Sequence, residues 1–151
     1  MTEQATVAPT LAPAIVKLAE LTGLTPQDVM AMYVGTRNLL NLCHHMAKKG
    51  GWWNDLKTGE PLQRNKGERL CLIHSESSEA MEGERKNLDD DKLPHRKMAE
   101  VELADALVRC GDYGGGFEYD IAAAMIEKIV FNNSRPDHKP ENRVKEGGKG
   151  F

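Results

Sequence analysis

The sequence is short of several features that would point to other classes of protein. Aromatic residues make up 5% of its 151 residues. Strand-like alternation of polar and apolar residues is scarce, and helix-forming residues fill the long segments. The three cysteines lie far apart and no CxxC pair occurs, so neither a zinc site nor a disulfide framework is indicated. We therefore expect an all-α protein.

The sequence also lacks a membrane span, a signal peptide and an excess of basic residues, and these absences indicate where the protein is located and what it binds. No apolar run approaches the ~20 residues of a membrane span, so no membrane partner is expected. The missing signal peptide and the odd number of cysteines favour a reducing cytoplasm. The formal net charge is −3, which gives no hint of broad nucleic-acid affinity. We expect a cytoplasmic protein that does not bind nucleic acid.

The chain is long enough for one domain with a substantial core. We expect a flexible N-terminus over residues 1–9, a single helical domain over residues 10–136 and an extended or partly disordered tail over residues 137–151. Gly23 is expected to end the first helix and Thr25 to cap the second, while Gly114–Gly116 should break the fourth. Start and stop signals predict helices over about residues 11–21, 26–49, 67–87, 95–113 and 118–133.

Two acidic pairs stand out on neighbouring predicted helices. Glu76 and Glu79 lie three residues apart on one helix, and Glu102 and Asp105 have the same spacing on the next. Because a helix turns by about 100° per residue, the members of each pair share a face. Apolar residues flank both pairs, so each pair is expected at the edge of an inward face. If the two helices are antiparallel, the four carboxylates converge.

Four converging carboxylates repel one another, and burial makes the repulsion worse. A divalent cation relieves it, and ligands that are all oxygen favour Mg²⁺ or Mn²⁺. The pattern therefore indicates a metal site for phosphate chemistry. The same spacing also fits two solvated helix faces, because glutamates three residues apart are common in helices.

A cationic group lies near the end of the last long helix. Lys128 and Asn132 are four residues apart on one helical face, and Arg135 follows at the helix end. Lysine as a point charge and arginine as a fork suit the oxygens of a di- or triphosphate. An ordinary solvated basic helix terminus, favourable to the helix dipole, remains the alternative.

The main irregular segment, residues 50–66, contains both tryptophans. Trp52 and Trp53, beside Asn54, can stack on a nucleobase and hydrogen-bond to its edge. Alternatively, one tryptophan plugs the end of a helical bundle. The adjacent His44 and His45 point in different directions and make a poor chelate, so we expect one at the core edge and one in solvent.

The ordered set of ExxE, ExxD and KxxxNxxRP on three successive helices resembles the MazG-like all-α nucleoside triphosphate pyrophosphohydrolases, especially the small phage and prophage type. The resemblance covers about residues 66–142, half of the chain. It implies an antiparallel helical bundle, commonly a dimer or a dimer of dimers, so we expect a homodimer or homotetramer. A phage-encoded member would act in the cytoplasm of its host.

The resemblance also implies a reaction, the Mg²⁺-dependent cleavage of a nucleotide between its α- and β-phosphates to a monophosphate and pyrophosphate. Glu76, Glu79, Glu102 and Asp105 would hold the metal ions, and Glu76 or Glu79 would accept a proton from water. Lys128, Asn132 and Arg135 would meet the phosphates. Base selection would fall to the N-terminal half, where the candidates are Trp52, Trp53, Asn54 and Asn38. A Trp-lined site suits a large base, which favours a deoxyribonucleoside triphosphate such as dGTP.

Two other functions are compatible with an all-α chain that carries acidic pairs. A di-iron helical bundle uses ExxH motifs, and no histidine lies three residues after any acidic residue of the two pairs. A non-catalytic helical interaction module with solvated acidic faces remains open. Thermal stabilisation by Mg²⁺ or Mn²⁺ separates it from the enzyme, because such a module should show no shift.

Overall fold

A computed structural model describes residues 10–147, which are mostly helical and contain no strand, as the all-α prediction requires. The predicted flexible N-terminus over residues 1–9 lies outside the described residues. None of the described helices combines the length and the hydropathy that crossing a bilayer requires. The α-helices are α1 (Leu11–Thr22), α2 (Pro26–Lys49), α3 (Lys66–Lys86), α4 (Met98–Gly116), α5 (Ile121–Ser134) and the short α6 (Pro140–Arg143).

The junction between α1 and α2 forms as the sequence predicts. Gly23 follows α1 with a left-handed φ of 74°, and its N–H donates to the Ala19 carbonyl. At the start of α2, the Asp28 N–H donates to Thr25 Oγ1 at 3.2 Å, and the Thr25 N–H donates to Asp28 Oδ2 at 3.1 Å. This reciprocal pair is a capping box, and it fixes where α2 begins.

The described chain divides into two compact units. The terminal unit contains the described residues up to Arg37 together with those from Ile121 onward, and the central unit is Asn38–Asp120. In the terminal unit α1 packs against α5. The hydroxyl of Thr10 donates to Glu127 at 2.8 Å, and Leu11, Ile15 and Ile126 are buried. A 3₁₀ helix (Pro136–His138) and α6 occupy the segment where the sequence predicts an extended tail.

In the central unit α3 and α4 form an antiparallel hairpin. A Cβ atom on Gly83 would lie 3.0 Å from the backbone nitrogen of Ala99, so the two helices touch near their connection. Farther along, Glu76 pairs with Arg109, and Arg69 lies against Asp112 at the other end. Residues that come later on α3 thus pair with residues that come earlier on α4, so the two helices are antiparallel. The predicted convergence of the acidic pairs requires this arrangement.

The sequence predicts that Gly114–Gly116 breaks the fourth helix, whereas α4 runs through all three glycines and ends at Gly116. A Cβ atom on Gly115 would lie 2.4 Å from Cβ of His44, and one on Gly116 would lie 2.0 Å from the Trp53 ring. These distances are far below van der Waals contact. Gly115 and Gly116 therefore let α4 approach α2 and the loop after it.

Candidate metal centre

The hairpin brings three of the four predicted metal ligands together. One carboxylate oxygen each from Glu76, Glu102 and Asp105 lies within 4.8 Å of the others. Glu76 on α3 is only 3% exposed, Glu102 on α4 is half-buried, and Asp105 is exposed. We call these three residues the carboxylate cluster.

Glu79, the fourth predicted ligand, lies close to the carboxylate cluster without joining it. Its side chain is exposed and makes no hydrogen bond or ion pair with any described residue. Its negative charge nevertheless contributes to the raised pKa of Glu102. Glu79 is thus near enough to affect Glu102 electrostatically.

The surroundings of Glu102 raise the pKa of its carboxyl group from 4.5 to about 7. Desolvation is the largest cause, followed by a hydrogen bond with Glu76 and then by the charges of Glu79, Glu76 and Asp105. The protonated form of Glu102 is therefore favoured over a wider pH range than for an ordinary glutamate.

Arg109, one turn beyond Asp105 on α4, is a member of this site that sequence reasoning missed. Its Nε donates to Glu76 Oε1 at 2.5 Å. The signal was present in the sequence, because a residue four positions after Asp105 shares its helix face. Arg109 lies outside the ExxD motif, and its partner Glu76 is 33 residues away in the chain.

The chemistry of the cluster fits a hard divalent cation. Its donors are carboxylate oxygens only, and their mutual separation allows one ion to touch all three. Such ligands suit Mg²⁺ and Mn²⁺ and do not choose between them. The raised pKa of Glu102 marks the site as one where added positive charge is favourable.

A second buried carboxylate, Asp112, was also missed. Trp53 Nε1 donates to Asp112 Oδ1 at 2.6 Å, and His44 Nδ1 lies 2.9 Å from the same oxygen. Arg69 Nη1 is 3.5 Å from Oδ2, and the Arg69 guanidinium lies 5.0 Å from the Trp53 ring centroid. We call these four residues the Asp112 network. As predicted for the histidine pair, His44 is half-buried and His45 is exposed.

An open cavity of about 380 Å³ adjoins the Asp112 network. This volume lies in the range of pockets that hold small molecules. Of the predicted base contacts, Trp53 and Asn54 line the cavity, whereas Trp52 and Asn38 are exposed and do not. Other lining residues are His44, Lys48, Phe117 and Glu118.

The predicted phosphate ligands belong to the terminal unit. Lys128 Nζ lies 4.9 Å from the ring centroid of Phe131. Arg135 forms two contacts with Asp137, Nε to Oδ1 at 3.0 Å and Nη2 to Oδ2 at 2.6 Å, and the guanidinium lowers the pKa of Asp137. Asn132 Oδ1 is buried and has no hydrogen-bond partner among the described residues.

Comparisons of the chain with protein-family models, with curated proteins and with solved structures find no match. A function for this chain must therefore be argued from the geometry of its side chains and from the order of its motifs.

Proposed function

We propose that the protein is a metal-dependent nucleoside triphosphate pyrophosphohydrolase. It would cleave the α–β phosphoanhydride of a (deoxy)nucleoside triphosphate to the monophosphate and pyrophosphate. The observation that carries the proposal is the convergence of Glu76, Glu102 and Asp105 from two antiparallel helices. The choice of reaction rests on the motif order, which resembles that of the MazG-like enzymes.

The carboxylate cluster would hold the cation, with Mg²⁺ and Mn²⁺ as the candidates. Bound there, a divalent cation would supply neutralising charge to phosphate oxygens and make a coordinated water more acidic. The chain would supply the remaining groups. Glu102 would hold the cation as an ionised carboxylate, because carboxylates must be deprotonated to ligate a metal.

Between the two predicted proton acceptors, the contacts favour Glu79. Glu76 is almost fully buried, and one of its oxygens accepts from Arg109. Glu79 is exposed and has no partner in the described part of the chain. A general base must reach the attacking water directly, so Glu79 is better placed to accept its proton.

The proposed contacts with the substrate concern its base and its phosphates. The cavity that Trp53 and Asn54 line offers an aromatic edge and an amide for a nucleobase, with a purine such as dGTP preferred. The roles of Lys128, Asn132 and Arg135 towards phosphate rest on the motif order. Assembly as a homodimer or homotetramer, and a cytoplasmic location, complete the proposal.

The decisive experiment is an activity survey with matched variants. Purified protein is incubated with each common NTP and dNTP plus Mg²⁺, and released pyrophosphate is measured. Glu79→Gln and Asp105→Asn should abolish turnover while the circular dichroism spectrum stays that of the wild type. Glu82→Gln is the control, because Glu82 pairs with Arg85 and Lys86 outside the cluster.

Pyrophosphate release at wild-type rates by Glu79→Gln or Asp105→Asn would contradict the site. No release from any nucleotide would contradict the reaction. Thermal unfolding with and without Mn²⁺ provides an independent check. The wild type should be stabilised and Asp105→Asn should not, whereas a non-catalytic interaction module would show no shift in either protein.

A further inference from the structure

Arg109 supplies positive charge directly at the carboxylate cluster. Its Nε donates to Glu76 Oε1 at 2.5 Å, and its side chain is 40% exposed against 5% for that of Glu76. The contact uses Nε alone. The two Nη atoms form no hydrogen bond with any residue between 10 and 147 that the structure describes. An arginine therefore offers its terminal N–H donors to solvent beside the cluster.

Two other cations of the central unit, Arg69 and Lys66, are more heavily engaged. Arg69 lies over the Trp53 ring and against Asp112, and it also donates to the Trp52 carbonyl at 3.2 Å. Lys66 donates to the Tyr119 hydroxyl at 2.8 Å and lies 5.0 Å from the centroid of the Phe117 ring. Arg109 differs from both because its one partner is a candidate metal ligand.

We propose that Arg109 is a phosphate-binding residue, paired with Glu76 in the metal-free protein and turned to the substrate's phosphate once a divalent cation is bound. This inference rests on the proposed function and extends its set of substrate contacts. A guanidinium and a dication compete for the same Glu76 carboxylate, and their like charges repel. The released guanidinium can then donate two parallel, charge-assisted hydrogen bonds to oxygens of the phosphate.

The proposal makes two predictions of opposite sign for the loss of Arg109. Metal binding should become tighter, because a cation no longer has to displace an ion pair from Glu76. Phosphate binding to the metal-loaded protein should become weaker, because the forked donor is gone. A residue that only stabilised the α3–α4 hairpin would not produce this combination.

The test uses Arg109→Gln and Arg109→Lys, with Arg85→Gln as control. Arg85 forms an ion pair with Glu82 on the exposed face of α3. Mn²⁺ is titrated calorimetrically into metal-free protein, and inorganic pyrophosphate is then titrated at saturating Mn²⁺. In Arg109→Gln we expect severalfold tighter Mn²⁺ binding and pyrophosphate binding weaker by about tenfold, the loss typical of a charge-assisted hydrogen bond.

The Arg109→Lys protein should bind pyrophosphate with intermediate affinity, since lysine keeps the charge and lacks the fork. Arg85→Gln should match the wild type in both titrations. Unchanged pyrophosphate affinity in Arg109→Gln, or Mn²⁺ binding no tighter than in the wild type, overturns the role of Arg109 and leaves the metal site standing. A wild-type protein that binds no Mn²⁺ overturns this inference and the proposed function together.

Discussion

At the scale of single residues, the central unit depends on how it satisfies buried charge. Asp112 is 9% exposed, and a carboxylate taken out of water costs free energy unless donors replace the lost hydration. His44 from α2, Trp53 from the loop and Arg69 from α3 supply those donors. The Asp112 network thereby fixes the position of Trp53, which lines the cavity.

Removing this carboxylate should be strongly destabilising. We expect Asp112→Ala to lower the free energy of unfolding by about 3 kcal/mol, because three donors lose their partner and Arg69 keeps an uncompensated buried charge. Asp112→Asn should cost less, since its amide oxygen can still accept from Trp53. Urea denaturation followed by tryptophan fluorescence measures both, and an Asp112→Ala protein as stable as the wild type would contradict the structural role of Asp112.

A pH prediction follows from the raised pKa of Glu102, about 7 against 4.5 for the ordinary group. The folded metal-free protein binds this proton more tightly than the unfolded chain does. The stabilisation is therefore complete below pH 4.5 and is lost as the pH rises through about 7. Glu102→Gln removes the titration, so in chelator its Tm relative to wild type should rise from pH 5 to pH 8.

Saturating Mn²⁺ supplies the counter-experiment for Glu102. The advantage of Glu102→Gln should disappear or reverse, because an amide is a weaker ligand than a carboxylate and the cation neutralises the crowded charge. A Tm difference between the two proteins that is independent of pH in chelator would show that Glu102 is not crowded in the folded state.

A site residue was predictable from the sequence when the residues that form its pattern lie close together in the chain. The acidic pairs are local patterns, since residues three apart on a helix share a face. Arg109 and Asp112 were missed because their partners lie far away in the chain, Glu76 at 33 residues from Arg109, and Trp53 and His44 at 59 and 68 residues from Asp112. Helical periodicity can mark such a residue as inward-facing and cannot say what it will contact.

At the scale of elements, helix ends were predictable where the signal is local. Gly23 and the Thr25–Asp28 capping box act within a few residues, and α1 and α2 begin and end close to where the sequence indicates. The packing role of Gly115 and Gly116 was not predictable in this way, because a glycine run is compatible with a helix end and with close packing. Only the approach of His44 and Trp53 decides between the two.

This interpretation of the glycines is open to direct test. Gly115→Ala and Gly116→Ala would force a methyl group into His44 and the Trp53 ring, so each should cost about 1–3 kcal/mol, as overpacking does. Gly35 in α2 is the matched control, because a Cβ atom there meets nothing within 4 Å. Gly35→Ala should stabilise the protein by up to about 1 kcal/mol through helix propensity.

Thermal or urea unfolding of the three glycine variants measures these differences. A stabilising effect of alanine at Gly115 and Gly116, like that expected at Gly35, would mean that α4 does not approach His44 and Trp53 as closely as the structure has it. Glycine at those positions would then be a helix-weakening residue without a packing role.

At the scale of the whole molecule, several large apolar side chains of the central unit are exposed. On α4, Leu103 is 54% and Leu107 is 64% exposed, and the two lie four residues apart on one helix face. On α2, Leu39, Leu42 and Met46 are exposed with similar helical spacing. Apolar stripes of this kind commonly mark surfaces that another protein surface covers. They support the proposed homo-oligomer.

The α4 stripe can be tested by placing a charge on it. If a second copy covers Leu107, Leu107→Lys buries an unpaired ammonium at the interface, and the assembly should dissociate towards the 16.7 kDa chain in sedimentation velocity. Leu56→Lys is the matched control, because Leu56 is 83% exposed in the loop before α3 and should tolerate the charge. If Leu107→Lys and Leu56→Lys both sediment like the wild type, Leu107 does not lie in an interface between copies.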